Sequence, residues 1–412
     1  MKRAWRYRSR ATGAAACLAL LQGSPLQAAE WSLQTSAQGR ARASQESPDA
    51  PLAAPTQIHE TRLLGSAVAA RALENSASTL DGSLDLPVGV QSGGSLVLGR
   101  LLLGQTLSSE RDSWAANAER SVDDNQADQR TASDAVIGRR RRNNARFGVV
   151  WQRAIAPRLS AQTEVSTAYT GYTGAQPQSF RNSQGGATVT YLWDERLRPG
   201  LTASHTRYAQ TGSDNLTTSD SLRFNLGWAL SEITSLNVGL GGYRTEQQGL
   251  RRSLACPLPA SFCNAGLVAP VLVQEVVRMR TNGSQFTLGL QSALDETRGY
   301  SLTASRQLLP SVFGVLLEES VSAAVNQAVT PRLNLAFNAS QSRSSSAPVG
   351  NGARPSLSTL DASLNCKLQE RLSLSAGLTL RRLQDSAAGQ GSRTAQFSIS
   401  LQYQPSKILA TR

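Results

Sequence analysis

Hydrophobic residues recur at every second position along most of this chain. The run 394–403 shows the pattern plainly: Phe397, Ile399, Leu401 and Tyr403 alternate with Gln396, Ser398, Ser400 and Gln402. A period of two gives an extended strand one apolar and one polar face. From residue 144 onward such strands come in pairs. Phe147, Val149 and Trp151 lead to a turn at Ala156, Pro157 and Arg158, and 159–172 returns. The design repeats in 187–208, 222–240, 286–305, 321–337 and 360–380, each with a short turn near its middle.

These hairpins share one plan. Their strands run to about ten residues, the length of a tilted strand that crosses a bilayer. A tight turn closes one end, and the connections at the other end are longer and polar. Periplasmic turns and extracellular loops divide in this way in a transmembrane antiparallel barrel. The aromatic residues add to the reading. Trp151, Trp193, Trp228 and Tyr403 fall in the last residues before a short turn or the chain end, as an aromatic girdle at a membrane–water interface would. In a soluble sandwich such rings belong nearer mid-strand, filling a core. The expected fold is all-β: a transmembrane up-and-down β-barrel over 30–403, followed by a tail, 404–412.

The N-terminal part is less regular. Strands are expected at 31–43, 62–73, 80–86 and 95–107, with Pro87, Gly93 and Gly94 as interruptions. The polar stretch 108–142, carrying Asp112, Asp123, Asp124, Asp128 and Asp134, lacks periodicity and reads as a long mobile loop. A second long loop is expected over 248–282. The strands total 17, and single-chain bacterial barrels normally have even numbers. The expectation is therefore about 16 strands, within 14–18, with 31–43 the candidate to lie outside the wall. A barrel of this size leaves a lumen of porin scale.

Five basic residues (Lys2, Arg3, Arg6, Arg8 and Arg10) precede an apolar run over 14–21 and the small pair Ala28–Ala29. This is the layout of a secretory signal peptide, 1–29, with cleavage expected after Ala29 although Gln27 is a poor fit at −3. No apolar run precedes Cys17, so a lipid-modified cysteine is not read there. The net charge of +13 falls to +8 once 1–29 is removed. Lysine occurs only at Lys2, Lys367 and Lys407, and the basic residues are not gathered on one face, which argues against nucleic-acid binding. No run of 18 apolar residues occurs, so the mature chain has no transmembrane helix. An exported barrel of this kind belongs in the outer membrane.

Little in the sequence promises catalysis. Cys256 and Cys263 bracket a short segment inside the second long loop, and in an oxidising compartment such neighbours pair. Their spacing is not that of a zinc site, and no histidine is near. Cys366 reads as a small wall residue. The histidines are His59 and His205. Ser204 and His205 are adjacent on a strand and point to opposite faces, so they form no dyad; Asp220 or Ser183 would have to approach from another strand. No phosphate loop, paired-carboxylate motif or calcium loop is present, and no cofactor or metal is expected. The run Arg139, Arg140, Arg141 and Arg142, with Arg146, is the densest charge cluster. It could contact lipopolysaccharide phosphates or an anionic polysaccharide, or form a solvated loop base balanced by the preceding aspartates. Arg223, Asn225, Asn237, Asn334, Asn338, Thr379 and Arg381 fall on the polar face and predict a mildly basic lumen lining.

One segment carries a resemblance. Residues 305–345 hold Ser305-Arg306, a loop reading Pro310-Ser311-x-x-Gly314, a strand, a short turn, and a strand ending in alternate serines. They resemble outer-membrane β-barrel proteins associated with exosortase/PEP-CTERM exopolysaccharide systems. The style recurs at 357–383 and in the closing strand. The N-terminal part departs from the family in lacking an Asp-Asn pair after its first strand. The resemblance implies a non-enzymatic outer-membrane barrel linked to exopolysaccharide production or export, with no catalytic residues to carry over. The implied partners are outer-membrane lipid and lipopolysaccharide, exopolysaccharide and its envelope machinery, and the barrel assembly machinery acting through the last strand. A general diffusion porin with a mildly anion-favouring lumen and a barrel hydrolase are the other readings.

Overall fold

The computed structural model describes residues 30–48, 56–88, 97–124, 141–173, 178–211, 216–255, 271–295, 297–311, 314–346, 355–385, 390–406 and 408–411. The expected signal peptide, 1–29, and the pair Cys256 and Cys263 lie outside them.

The wall opens with β1 (Glu30–Pro48), β2 (Thr56–Leu73), β3 (Ser76–Pro87), β4 (Leu98–Ser108) and β5 (Asp112–Asp124). It continues through β6 (Arg141–Ala156), β7 (Leu159–Tyr172), β8 (Gln178–Tyr191), β9 (Leu197–Gln210) and β10 (Leu216–Ala229). Next come the long β11 (Thr234–Ala255) and β12 (Val271–Asp295), then β13 (Arg298–Ser311) and β14 (Gly314–Thr330). The last four are β15 (Leu333–Ser346), β16 (Ser356–Gln369), β17 (Leu372–Asp385) and β18 (Gln390–Tyr403). Each strand pairs antiparallel with its neighbours in sequence, and β1 pairs with β18 to close the ring. A short strand, β19 (Ile408–Thr411), continues past β18 along the start of β1.

The barrel therefore has 18 wall strands rather than about 16. The segment 31–43 is part of the wall and makes its closing seam. The strand absent from the sequence count is β5, inside the expected loop 108–142. Its outward positions are Trp114, Ala116, Ala118, Arg120 and Val122. Small and charged residues on that face hide the alternation. The second expected loop, 248–282, is also shortened, because β11 and β12 pair as far as Ala255 and Val271.

Eight connections of two to five residues lie at one end of the barrel; the other end mixes short links with every longer one, among them 125–140 and 256–270. Side chains build several of the tight turns. Asp194 Oδ1 accepts from the amides of Arg196 and Leu197 at 2.8 and 2.6 Å. Asp295 Oδ1 accepts from the Thr297 hydroxyl and amide at 2.6 and 2.7 Å. Asx turns of this kind reverse the chain locally without help from the barrel. The Thr297 hydroxyl, followed by its amide, also holds the Asp295 carboxyl below the usual carboxylate range.

The register decides which face is wet. Leu222, Phe224 and Trp228 of β10 share a face with Leu201 of β9 and Leu240 of β11, and all are exposed. Phe147, Leu302, Val321, Phe337, Leu360, Leu378, Phe397 and Ile399 continue this band round the wall, exposed on the same face. So broad an apolar surface cannot stay in water on a monomer. Among the described residues the buried large apolar side chains are only Tyr172, Phe180, Tyr208, Tyr243, Leu316 and Leu357. A soluble sandwich needs a core, whereas this wall has its apolar face outside, where lipid would cover it.

Near the tight-turn end the band is edged with rings. Trp31, Trp114, Trp151, Trp228 and Tyr403 face outward there, and Trp193 lies in the turn after β8. Trp114 and Trp151 stack with centroids 5.5 Å apart. Trp151 Nε1 donates to Asp112 at 3.0 Å, so the ring has one apolar face and one polar anchor.

Candidate functional site

The inward face is a polar lumen. Serine, threonine and asparagine form cross-strand bonds, such as Asn225 to Thr202 at 2.8 Å and Ser375 with Ser400 at 2.8 Å. One contact skips a strand, Arg40 of β1 reaching past β2 to Asp85 of β3 on the inward face. Arg40 of β1 and Arg62 of β2 both hold Asp85 of β3, at 3.3 and 2.7 Å. Asp361 of β16 accepts from Thr379 of β17 at 2.7 Å and from Asn338 of β15 at 3.5 Å.

Charge in the lumen is close to balanced. Described inward positions carry Arg40, Arg42, Arg62, Arg100, Arg142, Arg146, Arg198, Arg223 and Arg381. Against them stand Glu30, Glu60, Asp81, Asp85, Glu119, Asp123, Glu164, Glu318 and Asp361. Arg100 pairs with Glu119 at 2.8 Å and Arg142 with Asp123 at 2.8 Å. The expected lining residues, Arg223, Asn225, Asn237, Asn334, Asn338, Thr379 and Arg381, all face this lumen. The acids that offset the arginines become partners only through the register.

Asp85 is the most interlinked of these groups. Arg62 beside it is only 5% exposed and reaches both the carboxylate and the Asp85 carbonyl. Asp85→Asn removes the carboxylate that both guanidinium groups share. The expected cost is about 1–3 kcal/mol, less than for a dry ion pair because the lumen is wet. A lower urea midpoint for the heat-modifiable band would report it, and an unchanged midpoint would show that the cluster contributes nothing.

At the long-loop end the lumen narrows. Tyr172 of β7, Phe180 of β8 and Tyr208 of β9 face inward and pack together, with the Phe180 and Tyr208 rings 5.2 Å apart. Tyr208 is 1% exposed. Val315 of β14 sits against this aromatic shelf. Neighbouring strands lie about 4.8 Å apart, so the five steps along the wall from β9 to β14 cover about 24 Å. Yet Cα atoms of β9 and β14 come within 8 Å of each other. The end of the β13–β14 hairpin and the shelf thus meet across the mouth. Buried Leu316, Glu318 and Ser344 belong to the same region, where Ser344 donates to Glu318 at 3.3 Å. Tyr243 adds a further ring, lying over its cross-strand partner Gly283, where any Cβ would collide with it. The sequence reading missed this constriction. Its available signal was Tyr172, Phe180 and Tyr208, which are aromatic at positions whose parity should be polar.

The remaining candidates divide. Arg139 and Arg140 lie outside the described residues. Arg141 faces outward, whereas Arg142 and Arg146 face the lumen, because successive residues of β6 alternate. The run is therefore not one surface. His205 Nδ1 lies 2.7 Å from Asp220 Oδ1, directly across β9 and β10, and both are exposed on the outward face. Ser204 faces the lumen, where it bonds Ser221 at 2.7 Å. Ser183 bonds Thr167 at 3.1 Å. The positions two along from His205 are Ala203 and Arg207, so its own strand offers it no hydroxyl. Cys366 is a half-buried free thiol on the outer wall, beside Leu374. Among the described residues no group of three or more His, Cys, Asp or Glu could hold a metal ion.

No family model matches the chain, and no curated protein does. Solved structures do resemble it. Acinetobacter baumannii OccAB4 superposes over 93% of this chain and 99% of its own, with a TM-score of 0.50 at 9% identity. Pseudomonas aeruginosa OpdK, solved with vanillate, covers 91% and 99% with a TM-score of 0.48 at 10% identity. The ferric-catecholate import receptor Fiu of E. coli covers 89% and 81% with a TM-score of 0.48 at 8% identity. At such identities the likeness is one of fold. It is the fold of an outer-membrane β-barrel of porin-like form, and the exposed apolar band independently calls for the same surroundings.

Proposed function

We propose that this chain is a non-enzymatic outer-membrane channel for polar solutes, narrowed at its long-loop mouth by the β13–β14 hairpin. The observation that carries the reading is the lumen: a hydrogen-bonded polar lining encircled by an apolar outer wall. Inward cations, the nine arginines with Lys367, outnumber the nine inward carboxylates by one among the described side chains, which favours small anions weakly. Liposomes containing the purified protein should swell in an isosmotic solution of a small neutral sugar and much less in one of a trisaccharide. Equal exclusion of both would refute an open channel. Because His205 on the outer face is bonded to Asp220, and the nearby Ser183 bonds Thr167 instead, His205→Ala should leave swelling unchanged and abolish no hydrolysis of phospholipid vesicles. Loss of such hydrolysis would make the chain an enzyme.

A finer role in exopolysaccharide assembly or export rests on the resemblance over residues 305–345. That segment includes the hairpin that crosses the mouth, so the likeness falls on the part of the barrel that controls passage. A strain lacking the chain should then lose surface polymer and accumulate it in the periplasm. Normal polymer with altered uptake of small anions would leave the general porin.

A further inference from the structure

The near balance of charge in the lumen hides a division round its circumference. From β1 to β7 inward arginines stand among inward acids, as Arg62 does with Asp85 and Arg100 with Glu119. From β8 to β13 the described inward side chains include no carboxylate. Two arginines stand in that sector. Arg223 is at mid-height on β10, and Arg198 of β9 is level with Gly227, four residues nearer the tight turns. The described inward acid nearest in strand order, Glu164 of β7, is three strands from Arg223, about 14 Å. It takes a hydrogen bond from Gln184 at 3.2 Å.

Glycines give Arg223 an open bed. Its cross-strand partner on β11 is Gly241, where any Cβ would collide with the Leu222 carbonyl and the Arg223 backbone. Its stem lies over Gly239, where a Cβ would stand 3.1 Å from Arg223 Cδ and would strike the Thr287 hydroxyl. Gly227 and Gly289 flank Asn237 on the same inner face. With these side chains missing, a shallow dish opens across β10, β11 and β12, about 10 Å over the strands and about 13 Å along them. The Arg223 Nε is buried there and has no hydrogen-bond partner among the described residues. Asn225 donates to Thr202 at 2.8 Å and keeps its Oδ1 over Gly239.

We propose that this dish binds an acidic sugar, with the sugar carboxylate on the Arg223 guanidinium and its hydroxyls on the surrounding polar groups. A guanidinium matches a carboxylate with two parallel hydrogen bonds. Hydroxyls need partners that both donate and accept, which Asn225, Asn237, Gln285 and Thr287 supply. The glycine floor lets a ring approach the backbone closely. A small inorganic anion would use the guanidinium alone. The inference rests on the channel reading and deepens it, since the site lies inside the lumen. Thr202, opposite Arg223, is six residues along β9 from Tyr208 of the mouth, about 20 Å.

The test is block of ion current by sodium glucuronate through the purified full chain in a planar bilayer, with glucose and inorganic phosphate for comparison. Glucuronate should block the wild type at about a tenth of the glucose concentration or less. Arg223→Gln should raise its half-blocking concentration about tenfold, to near that of glucose. Open-channel steps like those of the wild type show that each variant is folded. Arg198→Gln removes the same charge from the same sector and should be blocked like the wild type. Gly239→Ala keeps the guanidinium but fills the floor, and should weaken block by both sugars. An equal loss in Arg198→Gln and Arg223→Gln would reduce the site to a diffuse field and overturn it. Block by phosphate as strong as that by glucuronate would overturn the sugar. Steps without preference for glucuronate would sink the site and leave the channel standing. No steps at all would refute the channel, and the site falls with it.

Discussion

Ile399→Arg should abolish the heat-modifiable form of this protein, while Ser398→Arg, one residue away, should leave it intact. Ile399 lies near the middle of β18, faces outward, and pairs with Ala41 and Ala376 on the two strands beside it. An arginine at the bilayer midplane of a barrel wall costs about 2–4 kcal/mol. Here the cost falls on β18, which pairs with β1 to close the ring. Ser398 faces the lumen between Gly377, which leaves room, and Arg42; the like charge opposite costs about 1 kcal/mol or less, and water can solvate a guanidinium there. A one-residue step reverses the face of every side chain, so the contrast probes the register as well as the membrane. The measurement is the mobility of boiled and unboiled samples in SDS. Equal tolerance of both variants would mean that the outer face is not in lipid.

The second large effect concerns the mouth. Deleting residues 308–317 should raise single-channel conductance several-fold and admit larger sugars in the swelling assay. The deletion removes Val315 from the aromatic shelf, together with the buried Leu316, and leaves the lower strands of the hairpin paired. Tyr208→Ala should act in the same direction but less, because Tyr172 and Phe180 still fill part of the opening. No change in conductance on deleting the tip would place the narrowest point elsewhere in the lumen.

Alternation made the wall legible over most of the chain, because lipid on one face and water on the other impose a period of two on every strand. It failed at β5 for a physical reason. Alanine outward and charge at the strand end satisfy the wall without producing contrast, and only Trp114 marks the face. It could not show the constriction, since a hairpin end that leaves the wall no longer answers to the lipid–water division. Lumen polarity was visible at Arg223, Asn225 and Arg381, but the ion pairs were not. Arg62 meets Asp85 only after β2 and β3 are placed in register. The division of Arg141 from Arg142 follows from alternation alone once β6 is known to begin there.

The most direct test of the channel is conductance of the purified wild-type protein in a planar bilayer. The account predicts discrete, stable steps with a weak preference for anions, larger steps once residues 308–317 are removed, and none from a protein boiled in SDS. A silent bilayer with both the wild type and the tip deletion, each verified as folded by its heat-modifiable band, would contradict it.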